Sequence, residues 1–326
     1  PPPPRPPKSA CAMVRATGGS MRVVLIANPH ASRFSGRQRD RVAAALAARH
    51  KVELVQTNHP GQATVLTRRA VADGVELAAV LGGDGTVNEV VNGLRDSGVL
   101  LGLLGGGRTN VLARGLGLPA DPDKAVARLL ELLAAGARRR LSLGTADGRC
   151  FALNAGLGLD GAIVREVERR QRAKQLYGDR AYVAAGLKTF LVDYDRDHPH
   201  LAVHLDGGRA ALRGYFALVG NGDPFTYLGR RPFRPTPLAT WEGGLDLLVA
   251  QTMATRQLLR ALTGMLSPHP RPAYPGLPVH HDEDGFTLES DIPMAFQLDG
   301  EYLGDRTSVV IGCLRGAQPV VAPRRA

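Results

Sequence analysis

Leu81–Leu94 reads LGGDGTVNEVVNGL, and this stretch decides the fold. The apolar run Leu77–Leu81 leads into it, Gly82, Gly83 and Gly85 break the run, and a helical pattern opens at Thr86 and ends at Leu94. Glycines at a strand-to-helix turn let the backbone approach a ligand closely, and the free N–H groups at the helix start suit a phosphate. Asp84 sits inside this anion-binding turn, where phosphate binding alone does not call for an acid. Contact with Mg2+ or with a proton in transfer accounts for it. A tight turn with Asp as a helix cap is the plainer reading of the same residues.

Outward from this turn the same alternation repeats. Arg22 to Ala27, Lys51 to Val55 and Leu100 to Leu104 read as strands, and Gly36 to Arg49, Gln62 to Ala72 and Asp121 to Ala135 as helices. Asp121 caps the last of these, Pro122 opens it, and Gly136 ends it. Continuous apolar strands separated by helices predict βαβ units and a parallel sheet covered on both faces.

After Arg138 the style changes. Short strands are predicted at Arg139 to Leu143, Cys150 to Asn154, Leu201 to Leu205, Gly214 to Gly220, Leu245 to Ala250, Gly285 to Glu289, Met294 to Leu298 and Thr307 to Ile311. Helices interrupt them at Gly161 to Gln171, Ala181 to Val192 and Thr255 to Met265. Turns rich in Gly, Asp and Pro between the strands predict an antiparallel sandwich or barrel. The expected organisation is therefore a Pro-rich leader over 1–20, an α/β domain over 21–137 and a mainly antiparallel β-sandwich over 138–326. The leader carries six prolines in its first seven positions, and Met21 marks an expected start of the folded part.

Composition narrows the partners. With 44% hydrophobic and 22% charged residues in 326, wholesale disorder is excluded. The net charge of +11 and pI near 10.1 call for an anionic partner. Only 5% of residues are aromatic and no RNA-binding motif is present, which weighs against nucleic acid. Cys11, Cys150 and Cys313 are too few and too far apart for a disulfide framework or a CxxC metal site. No apolar run reaches the roughly 18–20 residues of a membrane-spanning helix.

A second glycine loop, Gly105-Gly106-Gly107, follows LLGLL and leads through Arg108, Thr109 and Asn110 into a helix, and a third turn, Asn28-Pro29 with Ser35-Gly36, follows the first strand. Three loops at one carboxyl edge of a parallel sheet form a crevice where ligands bind. No GxxxxGK[ST] loop and no HRD set occurs, which excludes two common phosphoryl-transfer designs. In Asp299-Gly300-Glu301, residue alternation on a strand would aim both carboxylates at one point, while a hairpin turn is the plainer reading.

Together these motifs resemble the lipid kinases of the diacylglycerol kinase catalytic-domain superfamily, which includes bacterial diacylglycerol kinases, sphingosine kinases and relatives of NAD kinase and phosphofructokinase. The resemblance is carried by Asn28-Pro29 with Ser35-Gly36, GGDGT from Gly82 to Thr86 with Asn88-Glu89, GGGRTNVLARGLGLP from Gly105 to Pro119, NAGLGLDG from Asn154 to Gly161, and LDGEYLG from Leu298 to Gly304. It implies a nucleotide domain followed by a β-sandwich, with ATP between them. Asn28, Thr57, Gly82, Gly83, Gly85, Thr86, Gly107, Arg108 and Thr109 would contact the nucleotide. Asp84 would act on the acceptor hydroxyl or through Mg2+, and Asp299 and Glu301 would organise metal and serve as general base, with Asp84 and Asp299 as the metal ligands. Asp160, Asn88 and Glu89 fall on the acceptor side. Many relatives read PxGTxND where this chain has Gly105 to Val111, so it lacks that Pro and that Asp and gains Arg108, a forked donor for phosphate or a solvent-facing side chain.

Other signals have plain readings. Asp160 is either a contact for the acceptor hydroxyls or a helix cap, and the GxGxxG of Gly156 to Gly161 lacks the βαβ context of a dinucleotide site. His280 to Asp284 reads as a solvated loop. Arg165, Arg169, Arg170, Arg172 and Lys174 read as a solvated face or a surface for anionic head groups, and Pro224 to Arg231 as a loop packed on the sandwich or a membrane contact.

The expected function is an ATP- and Mg2+-dependent lipid kinase acting on diacylglycerol or a similar lipid. It is expected to be cytoplasmic and peripheral to the inner membrane face, with a homodimer as an option and no nucleic-acid partner. The competing readings are an NAD kinase-like soluble kinase and a non-catalytic nucleotide or nucleic-acid binder.

Overall fold

A computed structural model describes residues 19–31, 34–169, 194–205 and 212–324. Residues 1–18 of the expected leader, the expected helix Ala181 to Val192, and Arg170, Arg172 and Lys174 lie outside the described residues.

The first half alternates as its hydrophobic pattern dictates: β1 (Arg22–Ala27), α1 (Gly36–Ala47), β2 (Lys51–Gln56), α2 (Gln62–Ala72), β3 (Leu77–Leu81), α3 (Asp84–Leu94), β4 (Leu100–Leu103), α4 (Val111–Gly115) and α5 (Pro122–Ala134). β2, β1, β3 and β4 lie side by side, all parallel. All five residues of β3 are buried, as a strand covered by helices on both faces must be. β2 is the outer strand and reads Lys-Val-Glu-Leu-Val-Gln, with four of its six residues exposed. Ser35 caps α1 through the Gln38 N–H and Asp121 caps α5 through the Lys124 N–H, so both helix starts follow local chemistry.

The second half continues with β5 (Arg139–Ala146), β6 (Arg149–Phe151), β7 (Asn154–Leu157), α6 (Leu159–Arg169), β8 (Leu201–Leu205), β9 (Leu212–Gly214), β10 (Phe216–Gly220), β11 (Thr226–Leu228), β12 (Arg231–Phe233), β13 (Leu245–Ala250), α7 (Thr255–Met265), β14 (Val279–Glu283), β15 (Gly285–Leu298) and β16 (Glu301–Val320). The strands are antiparallel, as expected, but they do not form a separate sheet. Val320 of β16 pairs in parallel with Leu101 of β4, so one mixed sheet runs through both halves. The two short strands expected near 285–298 are one strand of 14 residues, bent between Glu289 and Met294. Its first part pairs with β8 and its last part with β7, and this exchange of partners encloses a second core around Phe151, Phe286, Leu288 and Ile311.

His280 to Glu283 belongs to an edge strand, β14, rather than a solvated loop, and Asp284 follows it as an exposed bend. β14 pairs with β13, and the His281 Nδ1 lies 2.7 Å from Oδ1 of fully buried Asp246. A buried carboxylate needs a partner, and a register that delivers a histidine to it outweighs the polar composition. Burial holds the Asp246 carboxyl above its usual range.

Gly144 is a packing requirement. A Cβ there would lie 2.0 Å from Cζ of Phe151, which is fully buried. Gly144→Ala is expected to cost about 1–3 kcal/mol by overpacking. A thermal melt checks this, and an unchanged midpoint would contradict it.

Candidate active site

The carboxyl edge of the parallel strands gathers the predicted nucleotide residues. The loop after β1 is tied to the start of α3 by the Asn28 Nδ2, which donates to Oγ1 of Thr86 at 3.0 Å. Thr57 follows β2 at the same edge, and its N–H donates to the Ala27 carbonyl. The two glycine loops touch: a Cβ on Gly107 would lie 2.4 Å from the Gly83 Cα, and one on Gly106 would lie 3.0 Å from the Gly82 nitrogen. Asn110 closes the second loop, with its Oδ1 accepting from the Gly107 N–H at 3.0 Å and its Nδ2 donating to the Gly107 carbonyl at 2.9 Å.

α3 begins two residues earlier than its apolar pattern predicts, with Gly83 at the cap and no side chain satisfying its first turn. Asp84 is thus the helix's first residue and not its cap. Nothing lies within 4 Å of a Cβ built on Gly85, and its φ is not positive. Neither packing nor backbone conformation requires glycine there. The open space there leaves the helix start accessible to a ligand. Arg108 is exposed beside this cradle and makes no hydrogen bond or ion pair among the described residues.

Next to the cradle is a cavity of about 690 Å3. Most of its wall is apolar, including Phe216, Leu218, Phe225, Leu248, Leu258 and Leu262. Its polar groups are Asp84, Thr109, Asn154, Asp160, Gln297 and Asp299. Burial pushes the Asp84 carboxyl up to about 6, with the nearby Asp299 charge adding to the rise and backbone N–H groups at Val111 and Leu112 opposing it. Asp160, at the start of α6, is likewise pushed up to about 6 by burial. Its Oδ2 accepts from Nε2 of Gln297 at 2.6 Å, and the same Nε2 donates to Oδ1 of Asn154 at 3.0 Å.

Asp299 has a different setting. Its carboxylate accepts from the N–H groups of Ala152, Leu153 and Asn154, each at 2.9 Å, and from Nδ2 of Asn88 at 2.6 Å. These four bonds occupy the roughly four lone-pair positions a carboxylate offers. Burial still holds its carboxyl above the usual range, with the hydrogen bonds opposing. Asn88, expected on the acceptor side, thus works as a clamp between α3, Asp299 and the Cys150 carbonyl.

Two predicted residues stand elsewhere. Glu89 caps α2, accepting from the N–H groups of Gly61 at 2.8 Å and Ala63 at 2.9 Å, because the cap residue Gly61 has no side chain to do so. Glu301 is exposed and paired with Arg149, so it does not converge with Asp299 on one point. Strand alternation does not hold here because Asp299 and Gly300 form the turn itself, at φ 48° and 82°, between paired Leu298 and Glu301.

Sequence reasoning missed Gln297, Asn154 as a site residue, and the stacking of Arg114 on Tyr227, whose ring centre lies 3.3 Å from the guanidinium carbon. The signal for Gln297 was a polar residue in the otherwise apolar run Met294 to Leu298. The glycines of the GxGxxG stretch serve packing around Asp160. A Cβ on Gly156 would lie 2.2 Å from the Asp160 Oδ2, and one on Gly161 would lie 2.2 Å from the Ala295 carbonyl oxygen. Outside the cavity, Asp195 meets His198 and His200, and His200 also meets Asp291 at 2.7 Å, which fastens the segment before β8 to β15.

Residues 22–146 match the family described as the diacylglycerol kinase catalytic domain. The chain is 32% identical over 134 residues to a diacylglycerol kinase of Bacillus subtilis strain 168, covering 40% of this chain and 43% of that protein. It is 33% identical over 136 residues to one of Staphylococcus carnosus strain TM300, covering 40% and 42%. The matched part thus spans less than half the length of these curated relatives. A crystal structure described as a diacylglycerol kinase of Bacillus anthracis strain Sterne superposes with a TM-score of 0.73 at 22% identity, covering 93% of this chain and 98% of that one. This last likeness establishes the two-part fold beyond the matched segment.

Proposed function

We propose that the chain is a lipid kinase that moves the γ-phosphoryl group of ATP to a hydroxyl of diacylglycerol or a similar membrane lipid, giving phosphatidic acid or its analogue. One observation carries this reading: an apolar cavity large enough for acyl chains has its polar groups, Asp84 and Asp160 among them, beside a glycine cradle at a helix start. The catalytic-domain match over residues 22–146 supports the same class of chemistry.

In this reading the acyl chains lie among the leucines and phenylalanines, and the head hydroxyl reaches the carboxylates. Asp160, oriented by Gln297, accepts a hydrogen bond from the acceptor. Asp84 takes the proton as the hydroxyl oxygen bonds to the γ-phosphorus, the bond from that phosphorus to the bridging oxygen breaks, and ADP leaves with the electron pair. The cradle residues Gly82, Gly83, Gly85, Thr86, Gly107 and Thr109, with Asn28 and Thr57 on the rim, are the groups that would hold the triphosphate. Unlike Asp299, Asp84 keeps lone-pair positions open: the Leu112 N–H reaches its Oδ1 only at 3.4 Å, and the backbone N–H groups of Val111 and Asn110 lie near the same carboxyl. It fits a hydrated Mg2+, which when bound would neutralise phosphate charge. Asp299 has no such capacity left and is assigned to positioning, and Glu301, outside the cavity lining, is not assigned to proton transfer.

Arg108 is expected to grip phosphate. Arg108→Gln should raise the KM for ATP roughly tenfold with kcat within about twofold, the loss of one charge-assisted bond. Initial rates over a range of ATP concentrations check this; an unchanged KM would make Arg108 a solvent-facing side chain. The reading as a whole is tested with purified protein, labelled ATP, a panel of lipids bearing free hydroxyls, and NAD. Label in a lipid is the expected result, and label in NAD alone or in no acceptor would overturn it.

A further inference from the structure

We infer that α7 and the β11–β12 hairpin form a face that rests on an anionic phospholipid bilayer, so that the acceptor passes from the bilayer into the cavity without crossing water. The inference rests on the lipid-kinase reading for its purpose, though not for its test.

α7 is amphipathic in an unusual way. Ala261 and Met265 are buried, and Leu258 beside them is partly buried. Continuing round the helix, Leu262 and Leu259 are 41% and 57% exposed, and Arg256 and Arg260 follow. The apolar stripe is therefore wider than the core it covers. Both exposed leucines also line the cavity, which places them at its mouth. Tyr227 and Leu228 of β11 line the same cavity, and Arg230 and Arg231 follow them, both exposed.

Charge selects the occupant. Residues 224–241 and 251–281 contain no Asp or Glu, but they contain Arg230, Arg231, Arg234, Arg256, Arg260 and Arg271. Arg234 is paired with Asp223. The other five form no ion pair among the described residues. Exposed leucines flanked by uncompensated arginines match a bilayer interface, where the apolar groups enter the acyl boundary and the guanidinium groups meet phosphate. A second copy of the same face would bring like charges together. Among the described residues no helix is long and apolar enough to cross a membrane, so attachment through this face would lie in the interface.

The test is co-sedimentation of the full chain with vesicles, without ATP. Vesicles of equal parts phosphatidylcholine and phosphatidylglycerol should bind it, and phosphatidylcholine alone should bind it more weakly. Arg256→Gln with Arg260→Gln should weaken binding to the anionic vesicles about 30-fold, roughly fivefold per cation, and leave transfer to a short-chain soluble acceptor unchanged. Leu259→Gln with Leu262→Gln should weaken binding to both vesicle types by about tenfold or more. Wild-type behaviour of both variants, or no vesicle binding by the parent, would overturn the inference. So would a dimer of the parent that the leucine variant turns into a monomer. Transfer to a soluble acceptor without vesicle binding would reject the face and keep the kinase reading. Vesicle binding lost in both variants, with no transfer to any lipid, would do the reverse.

Discussion

Asp84→Asn is expected to slow phosphoryl transfer about 1,000-fold, within the range a positioned general base contributes. Asn keeps the shape and the contact with the Leu112 N–H but cannot take a proton. For the parent, kcat/KM should rise with pH through about 6, as the Asp84 carboxyl loses its proton. Asp160 titrates in the same range, so the profile belongs to both groups until Asp160→Asn is compared. Stability should move the other way. The carboxyl at about 6 in the fold has an ordinary value of 3.8, so the fold holds this proton more tightly than the unfolded chain does. Stability therefore falls as pH rises from 3.8 to 6, and above that range folding carries the full penalty of a buried charge. The helix dipole at the start of α3 offsets about 0.3–1 kcal/mol of it. Asp84→Asn should thus gain roughly 2–3 kcal/mol at pH 8, seen as a higher melting temperature, and none at pH 3. A variant that is inactive and also less stable at pH 8 would show that Asp84 holds the fold instead.

Asp299→Ala should cause the largest loss of stability. It removes the acceptor from four donors, three backbone N–H groups at the β6–β7 turn and the Asn88 amide, in a partly buried place. At about 1–3 kcal/mol for each stranded donor the cost is several kcal/mol, a large share of an ordinary domain's stability. Asp299→Asn, which keeps one acceptor oxygen, should recover part of it. Denaturant unfolding measures both. If Asp299 instead served chiefly as a metal ligand, the Ala variant would unfold like the parent without Mg2+ and lose activity alone.

These two residues also show what the sequence could and could not reveal. The place of Asp84 in a glycine turn at a helix start was legible from the apolar strand, the glycines and the helical pattern around it. The α/β order was legible because Leu77–Leu81 and its neighbours are continuous apolar runs, which only a sheet covered on both faces can bury. Asp299 and Glu301 looked like a convergent pair, yet the left-handed turn at Asp299 and Gly300 sends one inward and the other to Arg149. A turn conformation cancels the two-residue period, and local sequence allows both outcomes. Glu89 and Asn88 sat beside the motif but serve a helix start and a clamp, because their partners lie 26 to 28 and 211 positions away. The joining of both halves through Val320 and Leu101 depends on a contact across most of the chain and leaves no local pattern. The cavity escaped for the same reason, since its walls come from α6, α7 and five or more strands that meet only in the fold.

Phosphorus NMR of the protein with ATP, Mg2+ and diacylglycerol in detergent micelles reads donor and acceptor together. A new phosphomonoester resonance is expected to grow in step with ADP, absent without diacylglycerol and almost absent with Asp84→Asn. ADP appearing with inorganic phosphate and no phosphomonoester, or ATP unchanged in the presence of every hydroxyl-bearing lipid tried, would contradict it.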